Sequence, residues 1–393
     1  MSIPTTGTLT PRIHGDQNAR AQSLAQGAAG IALLHIERAR HGSGSWQNVH
    51  DVLASCVHDL VVDEHASLYY GAPAVAFALH TAAAGTGGYT GALRVLDTAI
   101  TTLTMRRVEL AHARINRGER PRASEFDLFY GLTGLGSYLL CRNQDTATLR
   151  EVLSYLARLT LPLTDDDERL PGWWTRLDPS GPTSDAFTGG HANLGMAHGI
   201  AGPLALLSLA ARRGTVVDGQ MTAIERICAW LDLQRQHTGP GHWWPQWITL
   251  AEHRASTVSQ PRPLRPSWCY GTPGLARAQQ LAGLALGDTA RQRMAERALT
   301  SCLADPGQLD RIRDGGLCHG IAGLLHVAHR VAHDADDERL TAHLPRLHAL
   351  LLDREPAQND GLLDGTTGTA LALLTAETRG MTTSGWDACL LAG

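Results

Sequence analysis

Lysine is missing from all 393 residues; the 34 basic side chains are arginines. Schiff-base chemistry on a lysine is therefore excluded, and so is a phosphate loop that depends on one. Charge of either sign is thin: Asp, Glu, Lys and Arg together reach 18%, against roughly 25% in ordinary soluble domains. The net charge of -4 leaves no basic excess for nucleic acid or an anionic membrane to meet. No run of 18 uninterrupted apolar residues argues for a spanning helix. The opening MSIPTTGTLTPRIHGDQ lacks the apolar centre of a secretion signal. Seven cysteines, an odd number without such a signal, point to reduced thiols in the cytoplasm rather than a disulfide framework. Strand-like alternation is scarce, whereas 43% hydrophobic residues suffice for a sizeable core and exclude wholesale disorder.

A short phrase recurs instead: glycine, two residues, glycine or alanine, then an apolar helical run. It occurs at Gly27-Gly30, Gly71-Ala74, Gly131-Gly134, Gly199-Gly202, Gly271-Gly274, Gly320-Gly323 and Gly365-Gly368. Successive first glycines lie 44, 60, 68, 72, 49 and 45 residues apart, room for two helices and their connections. Each pair is followed by an Ala- and Leu-rich stretch such as GPLALLSLAA, and most are preceded by an amphipathic one such as MTAIERICAWLDLQRQ. Glycine suits the junction because it takes positive φ and lets backbones approach closely. The unit reads as an outer helix, a glycine turn and an inner helix. Seven units can close into an all-α, double-layered α/α toroid of seven inner and seven outer helices; an open solenoid or irregular bundle is the alternative. No domain boundary interrupts residues 1–393, and polar stretches near 112–124, 178–190 and 237–264 read as loop insertions on the turn-bearing face.

Four turns carry reactive residues at comparable places. Asp127 lies four before Gly131, His198 directly before Gly199, Cys269 two before Gly271, and Cys318-His319 directly before Gly320. In a ring, the starts of the inner helices meet at one mouth, so these residues converge. Two sulfurs and an imidazole are a soft donor set that suits zinc, and three protein ligands leave a fourth tetrahedral position open. Cys56, Cys141, Cys228, Cys302 and Cys389 read as small buried residues. Asp127 can equally be a helix cap. Trp173, Trp174, Trp243, Trp244 and Trp247 can line a groove or simply pack. Asp165, Asp166 and Asp167 read as a solvated loop, and Tyr270 is given no role.

The phrases AHGIAG, WCYGTPG and CHGIAG, in that order, resemble the signature of the LanC family of lanthionine synthetases, the lanthipeptide cyclases. The resemblance runs over nearly the whole chain and implies an α/α toroid. It also implies one zinc per chain on Cys269, Cys318 and His319, with His198, Arg265 and Asp127 as catalytic residues. Ala74, in place of a second glycine, is the main departure. The implied reaction is intramolecular addition of a peptide cysteine thiol to dehydroalanine or dehydrobutyrine, giving a thioether ring. The implied partners are a dehydrated precursor peptide (leader plus core) and a separate dehydratase, since no dehydratase-sized region precedes the toroid. A free imidazole titrates near pH 6.5, so a histidine at position 198 can take the thiol proton or deliver one to Cα. Arg265 suits the enolate oxygen, while Asp127 can orient His198 or Arg265 or restrain backbone. Three alternatives remain: an enzyme adding a small free thiol, a non-catalytic peptide-binding toroid with structural zinc, and a glycan-processing toroid, which would want paired carboxylates in the mouth.

Overall fold

In the computed structural model, which describes residues 20–393 apart from 143–145, 166, 180, 182, 239–240, 336 and 379, the recurring phrase starts a recurring helix. The helices that follow the glycines are α1 (Ala28–Arg40), α3 (Ala72–Thr86), α5 (Leu132–Arg142), α7 (Ala201–Arg212), α9 (Thr272–Leu286), α11 (Ile321–Asp334) and α13 (Thr366–Glu377). Between them lie α2 (Trp46–Ala54), α4 (Thr90–Asn116), α6 (Ala147–Leu159), α8 (Gln220–Gln234), α10 (Thr289–Ala304) and α12 (Leu344–Leu352). Each odd-numbered helix packs on the next, and α13 packs on α1, so the inner layer closes. Each even-numbered helix packs on the inner helix before it. Among the described residues there are thus seven inner and six outer helices; an outer helix ahead of α1 would fall on residues 1–19, outside that range.

Composition assigns the layers. From Ala72 to Leu79 every residue of α3 is buried, as an Ala- and Leu-rich helix enclosed on all sides requires. The outer α8 buries Ala223, Ile224, Ile227, Cys228 and Leu231, one stripe at helical spacing. Trp173, Trp174, Trp243 and Trp244 are buried, so packing, not a groove, accounts for them. Cys56, Cys228, Cys302 and Cys389 are buried as well.

Close approach, more than positive φ, explains the glycines. Of the first glycines only Gly71 (φ 73°) and Gly271 (φ 148°) occupy the left-handed region. The second glycine of each pair instead sits on a carbonyl six residues back. A Cβ would lie 2.1 Å from the Leu24 oxygen at Gly30, 2.0 Å from that of Trp268 at Gly274 and 1.9 Å from that of Leu317 at Gly323. This contact draws each loop tightly over the helix it introduces.

The loops are then stitched together. Hydrogen bonds run from Leu363 N to Ala25 O (3.1 Å), Leu24 N to Tyr69 O (3.0 Å), Leu128 N to Ala197 O (3.1 Å), Met196 N to Cys269 O (2.9 Å), Cys269 N to Cys318 O (3.2 Å) and Cys318 N to Leu363 O (2.9 Å). At the remaining junction, between the second and third loops, Arg107 of α4 donates to Ala66 O and Tyr130 O. Tyr69 also stacks on Phe129 there, with centroids 4.1 Å apart.

The segment from Thr382 to Ala392 is held by side chains from five repeats. Ser137, Tyr69, Trp268 and Arg277 donate to the carbonyls of Ala388, Cys389, Leu390 and Ala392. Buried Glu37 of α1 accepts from Thr383 N and Ser384 N, while Asp387 meets Arg330 (2.6 Å) and His326 (3.1 Å) of α11. This segment satisfies polar groups inside the ring that would otherwise be buried unpaired.

Two stretches read as insertions depart from that reading. Residues 112–116 are the last turn of α4, so the break begins only after Asn116. The region 237–264 contains strand and helix: β3 (His191–Asn193) pairs antiparallel with β6 (Trp247–Thr249), β4 (Gln236–Thr238) pairs with β5 (Gly241–Trp243), and a short helix spans Leu250–Ala255. A further hairpin joins β1 (Leu163–Asp165) to β2 (Glu168–Leu170). Asp165, at its edge, pairs with Arg120 and Arg176.

Gly323→Ala is expected to cost about 1–3 kcal/mol in chemical denaturation, because the new methyl meets main chain that has no room to move. Ala74→Gly, at the one site that already carries the methyl, is expected to cost only about 0.5–1 kcal/mol. A second expectation concerns Asp387. Burial alone would raise its pKa, but Arg330 and His326 outweigh burial and hold the carboxyl well below the usual range. A depressed folded pKa stabilises above the unfolded value of about 3.9 and is lost as pH falls through the folded one. Asp387→Asn is therefore expected to lower stability by about 3–5 kcal/mol at neutral pH. Its deficit against wild type should shrink in melts recorded progressively below about pH 4.

Candidate metal centre

The closed ring of loops brings distant residues together. Cys269 and Cys318 each stand two before a first glycine, and the main-chain bond between them sets their side chains next to one another. Cys269 Sγ, Cys318 Sγ and one His319 ring nitrogen lie within 4.8 Å of one another, the only such group of three among the described residues. Tetrahedral zinc, with bonds of about 2.1–2.3 Å, spaces its ligand atoms about 3.5 Å apart. The observed spread closes to that with movements of about 1 Å or less. Two soft sulfurs and an imidazole are also the donor types zinc prefers, so the residues present fit the ion.

Electrostatics points the same way. The hydrogen bond from Cys318, reinforced by His319, holds the Cys269 thiol well below its usual range despite burial. Cys318, facing that thiolate, is pushed up. His319 is desolvated, which disfavours its charge, yet Cys269, Asp314 and Asp364 raise its pKa overall. The opposed directions follow from the contact between the two sulfurs, since a thiolate at one disfavours a second beside it.

The dyad beside it is more tightly built. Asp127 is buried; its Oδ1 accepts from Tyr130 N (2.7 Å) and Gly131 N (2.8 Å), and its Oδ2 lies 2.7 Å from His198 Nδ1. Of the roles the sequence left open, Asp127 partners His198 through one oxygen, while the other holds the turn ahead of α5 and does not cap the helix itself. Because Nδ1 is engaged, Nε2 is the nitrogen left for a reactant. Phe129, Tyr130 and Tyr270 surround the imidazole with centroids 4.8, 5.9 and 6.4 Å away. Arg265 is half-buried, and its charge lowers the pKa of both Cys318 and Asp364. Asp127 is thus hydrogen-bonded to His198, whereas Arg265 belongs to the cysteine side.

Several neighbours carried no reading from sequence. Asp314 Oδ2 lies 3.6 Å from His319 Nε2, and Asp364 Oδ1 lies 3.6 Å from His319 Nδ1. Tyr270 Oη accepts from Asn193 Nδ2 (3.0 Å), which ties the β3–β6 insertion to the site. Burial pushes the Tyr130 hydroxyl up to about 12, with Asp127 adding to the effect. The usable signal was register: the residue directly before each first glycine is Gln26, Tyr70, Tyr130, His198, Tyr270, His319 or Asp364. Five of these seven, Tyr130, His198, Tyr270, His319 and Asp364, surround the site, and attending to cysteine and histidine alone passes over three of them.

Comparison with known proteins agrees with this architecture. Among solved structures, nisin cyclase superposes with a TM-score of 0.80 over 96% of this chain and 93% of its own, at 21% identity. The nisin biosynthesis protein NisC of Lactococcus lactis subsp. lactis is 23% identical over 256 residues, 63% of this chain; the match spans 60% of that relative's length. Identities this low speak for a shared fold. A family model described as lanthionine synthetase C-like protein, however, matches residues 19–391, from ahead of α1 through the segment that threads the ring. The chain belongs to the lanthionine synthetase C-like family.

Proposed function

We propose that this protein is a zinc-dependent lanthipeptide cyclase, which adds peptide cysteine thiols to dehydroalanine or dehydrobutyrine residues of the same peptide. One observation carries the reading: a Cys269–Cys318–His319 donor set and an Asp127–His198 dyad meet at one end of a single ring. A structural metal needs no such dyad. A glycan hydrolase would place paired carboxylates around a sugar, not two thiols.

Zinc held by Cys269, Cys318 and His319 would supply the Lewis acidity that ionises an incoming thiol, otherwise only a few per cent thiolate at neutral pH. The remaining work falls to side chains. The sulfur loses its proton and bonds to Cβ, the alkene electrons move toward the carbonyl as an enolate, and Cα gains a proton. The product is an isomer of the substrate. Asp127 Oδ2 fixes the Nδ1–H tautomer of His198, so Nε2 moves the proton, taking it from the thiol or giving it to Cα. The Arg265 guanidinium, permanently charged, stabilises the enolate oxygen. The substrate is a precursor peptide already dehydrated at serine or threonine, supplied by a separate dehydratase. Seven unpaired cysteines suit a reducing compartment such as the cytoplasm.

Incubating the protein with a dehydrated precursor and alkylating the product tests this reading. Peptide mass should stay constant while alkylatable cysteines disappear. A gain equal to a small thiol would point to intermolecular addition, and no change in either would leave only binding. Cys318→Ala is expected to bring zinc well below one per chain and to abolish thiol loss; full metal occupancy would remove Cys318 from the ligands. His198→Ala should keep zinc and slow ring closure about 10²–10⁴-fold. Asp127→Asn leaves an acceptor for the turn but offers His198 a donor, which forces the wrong tautomer. It should lower kcat by more than tenfold with zinc content unchanged.

A further inference from the structure

The aspartate before the Cys-His pair has two oxygens and two separate jobs. Asp314 stands six before Gly320, and its Oδ1 accepts from Gly316 N at 2.9 Å. Two sister loops contain the same turn. Asn193, six before Gly199, accepts from Gly195 N, and Asn359, six before Gly365, accepts from Gly361 N, each at 2.9 Å. The turn therefore needs one acceptor oxygen and no charge, and an asparagine supplies it. What separates the loop of Asp314 from those two is a histidine in the donor set, and the second oxygen of Asp314 is directed at that histidine, 3.6 Å from Nε2.

The other carboxylate near His319 is placed differently. Asp364 lies on the Nδ1 side, and it directly follows Leu363, whose carbonyl accepts from Cys318 N at 2.9 Å. Asp364 and Nδ1 thus share the side of the sulfurs, and Nε2 is turned away toward Asp314. An imidazole offers a metal one nitrogen. The other N–H is commonly taken by a carboxylate, which fixes the ring's tautomer and orientation.

We propose that Asp314 is a positioning residue of the metal centre: Oδ1 holds its own turn, while Oδ2 takes the Nε2–H of His319 and directs Nδ1 to the ion beside Cys269 and Cys318. At 3.6 Å the pair is in contact, short of a formed hydrogen bond; holding the ring against a metal completes it. Asp127 divides its oxygens in the same way, one on a turn and one on His198. The inference rests on reading Cys269, Cys318 and His319 as ligands.

Chelator competition on the full chain, with zinc as the probe, tests it. Asp314→Asn should weaken zinc binding about 10–100-fold, leave the thermal midpoint of the metal-free protein as in wild type, and alter the d–d bands of the cobalt-loaded form. Asp314→Glu, which restores a carboxylate, should recover part of the affinity. Zinc affinity within threefold of wild type in Asp314→Asn would overturn the proposal. So would an equal fall in the metal-free melting temperature, because the residue would then serve only its turn. Failure of the wild-type chain to bind zinc would sink the ligand reading instead, and is distinguished by needing no variant.

Discussion

The structure depends on one steric fact: six of the seven inner helices begin where a backbone carbonyl lies against a glycine, and the seventh has only the methyl of Ala74 there. Leu317 O under Gly323 and Trp268 O under Gly274 leave about half the distance that a carbon would need. Packing the loop that tightly brings the residue two before the first glycine level with its counterpart in the next repeat. Main-chain bonds such as Cys269 N to Cys318 O and Cys318 N to Leu363 O then join the loops into a ring. The meeting of Cys269, Cys318 and His319 is therefore a property of the fold. Residues 49 apart in sequence are adjacent because the repeat is in register, and a rigid scaffold of this kind is what a preorganised site requires.

A ring of helices also encloses polar groups that water cannot reach. Trp268 Nε1 and Tyr69 Oη need acceptors at a depth where no loop can provide them. The carbonyls of Leu390 and Cys389 meet that need, and the buried Asp387–Arg330–His326 cluster anchors the segment that carries them. Tyr69 and Trp268 in turn flank Phe129, on which His198 packs. The polar interior and the reactive mouth are thus two ends of one stack of side chains. An apolar filling of equal volume would leave those donors unpaired.

Much of this was legible in the sequence, and the reasons are specific. The phrase of glycine, two residues, then glycine or alanine announced seven inner helices because its cause is local, a contact six residues long that six of the seven copies make with glycine. Cys269, Cys318, His319, His198 and Asp127 stood out because reactive residue types fell at matched offsets from those glycines. Asp314 and Asp364 did not, since an aspartate near a glycine turn has an ordinary explanation as a cap, and only distances separate one role from two. Burial assigns Trp173, Trp174, Trp243 and Trp244 to packing, whereas Trp247 is half-buried against Phe187. The β3–β6 pairing was illegible for another reason: three-residue strands separated by more than fifty positions leave no periodicity to read. The partner of Asp127 was equally closed to sequence, because choosing between His198 and Arg265 requires knowing which loops are neighbours.

Charge accounting ties these parts together. Around His319 stand two thiols and two carboxylates, with Arg265 the cation whose pull reaches both Cys318 and Asp364. The two sulfurs oppose one another: the thiolate at Cys269 is itself what pushes Cys318 up. Burial adds to the imbalance, since a desolvated carboxyl such as Asp364 rises for want of a counter-charge. A divalent cation held by Cys269, Cys318 and His319 would favour the ionised form of both thiols and of Asp364. Were the centre only a packing device, the same space would be filled more stably by apolar side chains than by mutually repelling acids. The arrangement suits a dication, with Arg265 beside the sulfurs and His198 held by Asp127 on the neighbouring loops.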